Sequence, residues 1–414
     1  MTSQHELRDD HDDTVGWRDV GLWQPEHRTV ADLVADGASL FDGSATWPVM
    51  VLKDDALDHN VRTLADFSAA HGLLLAPHGK TTMSAKLYAR QLAAGAWGIT
   101  VATANQARYA IGTGVRRVLI ANEVLDPTAL TWFARRQADD PGLELFCFVD
   151  SSTGVEIAEQ AAAAAGGRLA VLVDLGYAGG RTGCRSSAEA LELAGRVTDS
   201  DVLDLAGIGA YEGGLSDIAS VSGYLDEVKE LANTAFAAGL LGPAPIVTVG
   251  GSAWFDLVGA RWSDGWVDGM KPRRVLRSGA YITHDDGTYS RKTPYVRIAG
   301  ALRPAIEVWA QVTSPGDPGR VIIGMGKRDA PYDEGLPVVR GVRRRGTDRI
   351  EALTSATVVA MDDHHGYVEH DDDLQPGDLL VLGISHPCTA FDKWGVLPVV
   401  DADYRIVDVV RTHF

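Results

Sequence analysis

The feature that most constrains the fold is an alternation. Between about Trp47 and Ser252, short β-branched or aliphatic runs alternate with longer alanine-rich amphipathic stretches, at spacings of roughly 20 to 40 residues. Side chains repeat every two residues along a strand and every 3.6 along a helix, so the pattern reads as a βα rhythm. Strands are expected at Pro48 to Leu52, Leu73 to Pro77, Gly98 to Thr103, Arg117 to Ala121, Leu143 to Val149, Leu169 to Leu175, Leu205 to Tyr211 and Ile246 to Val249. LAVLVDL and LFCFV are nearly continuous apolar runs, as parallel strands buried on both faces require. Eight such units favour an α/β fold closed into a (β/α)8 TIM-type barrel over an open doubly wound sheet.

After about Ser290 the texture changes to short β-rich pieces, among them AIEVWAQVTS, RVIIGMG and DLLVLGI, separated by Pro, Gly and Asp turns. The expected division is a barrel over 47–289, a mostly β C-terminal domain over 290–414, and an N-terminal tail and arm over 1–46 that packs on the β domain through GWRDVGLW. Within that tail, MTSQHELRDDHDD is acidic and has no apolar segment behind it, so a solvated tail is expected and a signal peptide is not.

Charge narrows the partners. Against 38 Lys and Arg stand 56 Asp and Glu, a formal charge of −18, whose field repels nucleic acid and anionic membranes. No apolar run reaches the roughly 18 residues of a membrane helix. Cys147, Cys184 and Cys388 are too few and too scattered for a disulfide framework, which fits a reducing cytoplasm.

In such barrels chemistry collects at the C-terminal ends of the strands. Lys80 directly follows LLLAPHG, where an amine on a rigid strand end is placed to form a Schiff base; the competing reading is a surface lysine. Gly250, Gly251 and Ser252 follow the last expected strand and offer backbone N–H groups and a hydroxyl to a phosphate, or form an ordinary glycine turn. Gly213 and Gly214 could extend that cradle, and Asp174, Arg181 and Tyr211 also lie at strand ends. In the β domain, ISHPCTAFDKW sets His386 and Cys388 two apart, on one face of an extended segment. Imidazole with thiolate suits zinc better than harder ions; a buried cysteine beside a hydrogen-bonded histidine is the plainer alternative. His364, His365 and His370 sit in an Asp-rich stretch that reads as exposed loop.

An amine near a phosphate cradle, on a barrel joined to a β domain, suggests pyridoxal phosphate. At this point the motifs APHGKTT, DLGYAGGRTG, GAYEGG, VGGS, RSGAYITHD and SHPCTAFDKWGVLPVVD, in that order along most of the chain, resemble the D-threonine aldolase and D-serine dehydratase family. That family includes bacterial proteins called amino acid deaminases and belongs with alanine racemase among fold-type III pyridoxal phosphate enzymes. The resemblance implies that Lys80 holds the cofactor and then acts as a base at Cα, that His78, Arg181 and Tyr211 contact the cofactor, and that Gly250, Gly251 and Ser252 bind its phosphate. It implies that His386 and Cys388 hold a metal facing the substrate β-hydroxyl, with zinc expected and manganese or another divalent ion possible. His-x-Cys resembles the zinc-dependent dehydratases, whereas the aldolases usually carry His-x-Asp.

The implied activity is that of a lyase: elimination of the β-hydroxyl of a D-β-hydroxy amino acid to give a 2-oxo acid and ammonia, by a homodimer. Retro-aldol cleavage to glycine and an aldehyde is the alternative. A racemase using Tyr281 or Tyr289 as second base, and a non-catalytic pyridoxal phosphate carrier, are the remaining readings. Two departures from the family stand out: Thr81-Thr82-Met83 replaces T-H-K after the lysine, and Gly214 stands where many members carry a histidine.

Overall fold

The computed structural model describes Leu7 and residues 13–414, so the acidic stretch expected as a solvated tail lies, apart from Leu7 and Asp13, outside the described residues. The described chain divides into two compact units, Leu64–Lys80 with Tyr88–Gly279 and Leu7, and residues 13–63 with Thr81–Leu87 and Ala280–Phe414.

The first unit is the barrel. Its parallel strands, in chain order, are Leu74–Leu75, Ile99–Val101, Arg117–Glu123, Glu144–Val149, Leu169–Leu175, Leu203–Ala210, Ile246–Val249 and Arg273–Leu276. From the second onward each pairs with the next, and the eighth returns to the first through Val275 with Leu74 and Leu276 with Leu75. First and second strands are joined by Trp97 N to Leu75 O (2.6 Å), Thr100 N to Pro77 O (2.9 Å) and a bridge between His78 and Thr100, which closes the ring.

Helices begin where the chain leaves a strand and meets a short polar side chain that can take an orphan N–H. Thr103, Asp126, Ser151, Ser186 and Asp217 cap five of them. Ala76, Leu119, Phe146, Phe148, Leu172, Ile246 and Val275 fill the inside. Glycine at 209 is required there, because a Cβ would stand 2.6 Å from the Phe148 ring.

Eight strands were expected and eight are found, but not the same eight. The apolar run at Val49–Lys53, expected to open the barrel, instead pairs with Ile306–Ser314 and Val396–Val400 in the second unit. A strand buried on both faces looks the same in a barrel as in a central sheet, so its pattern does not reveal its partner. The eighth barrel strand, Arg273–Leu276, escaped notice because it opens with two arginines.

In the second unit, Ile306–Ser314 is central, antiparallel to Leu379–Gly383 on one side and to Val49–Lys53 on the other. Val338–Arg343 continues the sheet beyond Leu379–Gly383, and Ile406–Arg411 continues it beyond Val396–Val400. Val49, Val51, Trp309, Val381, Val396 and Val409 form a core that Val15, Leu22, Val30 and Leu33 of the arm join. Arg411 clamps the arm by pairing with Asp19 at 3.0 Å. Among the described residues no helix is long and apolar enough to cross a membrane.

Candidate active site

Lys80 lies in a short 3-10 turn, Gly79–Thr81, directly beyond the bridge that closes the barrel. The turn is held by the Tyr88 hydroxyl, which donates to Gly79 O at 2.9 Å. A Cβ at 79 would fall 2.6 Å from the Tyr88 ring and 2.8 Å from Ile99, so only glycine lets the turn sit this deep. His78, two residues back, has Nδ1 buried without a partner. Burial, then the charges of Lys80, Arg277 and Arg181, hold its imidazole well below the usual range, so the ring is neutral.

Arg277 follows the eighth strand and is 4% exposed. Its guanidinium donates to Thr248 Oγ1 (2.8 Å) and Ala210 O (2.7 Å). Glu212 is fully buried; Oε2 accepts the Gly250 N–H at 3.1 Å, while Oε1 has no partner, and burial raises its carboxyl. Asp174 accepts from the Thr182 hydroxyl at 2.9 Å and has Oδ1 open; burial pushes it up to about 6, against Thr182 and Arg277. Glu123, ending the third strand, is pushed up to about 7 by burial and by the charge of Asp174.

Arg181 lies 4.7 Å over the ring of Tyr211, and both line a narrow cleft together with Asp174 and Tyr177. Of the expected phosphate cradle, Gly250 has its N–H committed to Glu212, and Gly251 presents its carbonyl to the Ser278 hydroxyl at 3.2 Å. The open N–H groups of the cradle are therefore to be sought at Gly251 and Ser252. Gly213 and Gly214 are closely packed: a Cβ at 213 would sit 2.4 Å from the Tyr211 hydroxyl, and one at 214 would sit 2.3 Å from that of Tyr177. Where the resemblance led to a histidine, a phenol from the preceding βα loop fills the space.

These residues fit pyridoxal phosphate. Buried polar groups in proteins are almost always paired, yet His78, Asp174 and Glu212 each keep an open atom in the barrel that carries Lys80, alongside Arg181 and Arg277 for a polyanionic ligand. Arg277, Glu212 and Glu123 were not singled out from the sequence. The first followed the uncounted strand, and the other two lie at strand ends where position alone would have found them.

In the second unit, the segment after Leu379–Gly383 carries His386 and Cys388 into a 3-10 turn, Pro387–Thr389. His386 Nδ1 lies 2.8 Å from Asp333 Oδ2, and Thr389 Oγ1 donates to Asp333 Oδ1 at 2.9 Å. Cys388 Sγ is 3.8 Å from Thr81 Oγ1. Burial pulls the His386 imidazole down, but Cys388 and Asp333 outweigh it and push it up to about 9, a site that attracts positive charge. With Nδ1 engaged, Nε2 and the Cys388 sulfur make a two-donor set that suits a soft or borderline divalent ion with positions left open.

Of the other histidines named, His364 and His365 are exposed, His364 lying 3.7 Å from Asp329, whereas His370 is half-buried with Nδ1 unpartnered, contrary to the exposed loop expected there. Met83, at the T-H-K departure, is buried at φ 42, and Thr82 is buried beside it. Tyr281, named for a racemase, is 2% exposed, and the backbone N–H of Tyr289 is held by Asp285.

Comparison with known proteins bears on the family and the fold. The alanine racemase N-terminal domain family matches residues 52–260, just over half of the chain, and the serine dehydratase domain matches residues 305–400. D-threonine aldolase from Arthrobacter sp. is 27% identical over 365 residues, covering 85% of this chain and 88% of that protein. D-threo-3-hydroxyaspartate dehydratase from Delftia sp. is 28% identical over 250 residues, 58% of this chain and 61% of that protein. The crystal structure of D-threonine aldolase from Filomicrobium marinum superposes with a TM-score of 0.76 at 23% identity, covering 89% of this chain and 95% of that one. The chain therefore belongs to the alanine racemase N-terminal domain family of fold-type III pyridoxal phosphate enzymes, in the form that carries a serine dehydratase domain.

Proposed function

We propose that this protein is a lyase that removes the β-hydroxyl of a D-β-hydroxy amino acid, such as D-serine, to release a 2-oxo acid and ammonia. The observation that carries the choice is the pairing of His386 with a cysteine, Cys388, in the serine dehydratase domain. A thiolate selects a borderline ion such as Zn²⁺ over the harder ions that a carboxylate at the same position would favour.

Pyridoxal phosphate supplies the electron sink for the pair left at Cα when its proton departs. Lys80 would hold that cofactor, and its Nζ would take the Cα proton. Gly251 and Ser252 would hold its phosphate, and Arg181 and Tyr211 would contact the cofactor. The neutral His78 presents a donor or an acceptor without adding charge. His386 and Cys388 would hold a divalent ion, which would supply Lewis acidity to make hydroxide a feasible leaving group. The enamine that leaves is hydrolysed in water to the 2-oxo acid and ammonia. A homodimer is part of the proposal.

Retro-aldol cleavage is the second reading, favoured by 27% identity to an aldolase over 85% of the chain. One experiment separates the two. The cofactor- and Zn²⁺-loaded protein is given D-serine, D-threonine and D-threo-3-hydroxyaspartate in turn, with coupled assays for 2-oxo acid and for glycine. Oxo acid with matching ammonia is expected; glycine with an aldehyde overturns elimination in favour of the aldolase, and the enantiomer of the substrate points to racemisation.

A further inference from the structure

We infer that Asp333 is the positioning carboxylate that orients His386 for a divalent ion. This rests on the reading of His386 and Cys388 as a metal pair. Asp333 lies 53 residues before His386, in the loop between strands Arg320–Ile323 and Val338–Arg343, and four hydrogen bonds lace that loop to the His386 segment. Asp333 accepts two of them, from His386 Nδ1 at 2.8 Å and from Thr389 Oγ1 at 2.9 Å. The others run from Ser385 Oγ to Pro331 O (3.4 Å) and from Trp394 Nε1 to Asp329 O (2.8 Å).

An ionised carboxylate can only accept, so the bond to Asp333 Oδ2 places the ring hydrogen on Nδ1. Nε2, once an incoming ion displaces its proton, is then the nitrogen available to a metal, and the bond to Asp333 fixes the plane of the ring. Thr389 holds the other oxygen, so Asp333 cannot turn away without losing a second bond. Asp333 acts through His386 rather than as a ligand. Both of its oxygens are engaged, and among the described residues no group of three or more His, Cys, Asp or Glu has metal-binding geometry. The Asp333 side chain is 42% exposed, so its pairing contributes little to folding stability, and a variant there isolates the effect on the ion.

The test uses the full chain loaded with pyridoxal phosphate. Zn²⁺ is titrated in competition with a chromophoric chelator, and Co²⁺ is followed by its thiolate charge-transfer band. Asp333→Asn is expected to lower Zn²⁺ affinity by about 10- to 100-fold. At saturating Co²⁺ the band should persist, because Cys388 remains a ligand, and the melting temperature of the metal-free variant should match that of the parent. Zn²⁺ affinity within twofold of the parent overturns the inference, as does a loss of affinity matched by a fall in the metal-free melting temperature. A parent protein that binds neither ion overturns instead the metal pair itself.

Discussion

The two candidate sites arrange their polar groups in opposite ways. In the barrel, Asp174 and Glu212 are 3% and 0% exposed, each with one oxygen unpartnered, and His78 buries a free ring nitrogen. In the β unit, Asp333 is 42% exposed with both oxygens bonded, and His386 Nδ1 is already taken. The barrel holds polar atoms whose desolvation is left for a ligand to offset, whereas the β unit sets its donors before any ion arrives. A large organic cofactor can satisfy many groups at once; a metal ion demands that few groups point the right way.

The comparison breaks most visibly at Cys388. Cys388→Ala should weaken Zn²⁺ binding by on the order of 100-fold or more while leaving pyridoxal phosphate absorbance unchanged, measured by metal titration beside a spectrum. Loss of cofactor in the same variant would mean that the two sets of residues do not act separately.

Arg277→Ala tests the barrel side. It removes two charged hydrogen bonds and the cation beside Glu212, so the urea midpoint should fall by the equivalent of about 2–4 kcal/mol. A neutral result would show that the buried acids are not held by this arginine.

Next comes proton binding by Glu123, measured without cofactor. Its carboxyl is raised from 4.5 to about 7 in the folded state, so the folded chain holds the proton more tightly than the unfolded one. The stability this contributes is complete below about pH 4.5 and is lost as pH rises through about 7. Glu123→Gln should therefore flatten the melting temperature across that window and gain about 2 °C at pH 8. A parallel pair of curves would place the proton elsewhere.

The smallest effect is at Gly214. Gly214→Ala puts a methyl group 2.3 Å from the Tyr177 hydroxyl but 3.7 Å from the ring carbon that bears it. The single variant should lose up to about 1 kcal/mol, and Tyr177→Phe in the same chain should restore it. Additive losses would show that the phenol does not occupy that space.

What the sequence revealed follows the same division. A barrel strand points its last residue at the mouth, so Lys80, Asp174 and Tyr211 were legible from position once the βα rhythm was read. Arg277 was missed with its strand, since Arg-Arg-Val-Leu lacks an apolar opening, and Val49–Lys53 was read as a barrel strand because burial on both faces hides the partner. Glu212 lay within a quoted motif, but only the fold shows that it takes the Gly250 N–H. In the β unit, the His386 and Cys388 spacing was visible, whereas Asp333 meets His386 across 53 residues of loop and strand, a contact that no local pattern encodes.

The most direct test of the account is where the cofactor attaches. The pyridoxal phosphate-loaded protein is reduced with borohydride, digested and mapped by mass spectrometry. The account predicts a pyridoxyl phosphate group on the peptide carrying Lys80 and none after Lys80→Ala. An adduct on a different lysine, or one that persists unchanged in Lys80→Ala, would contradict it.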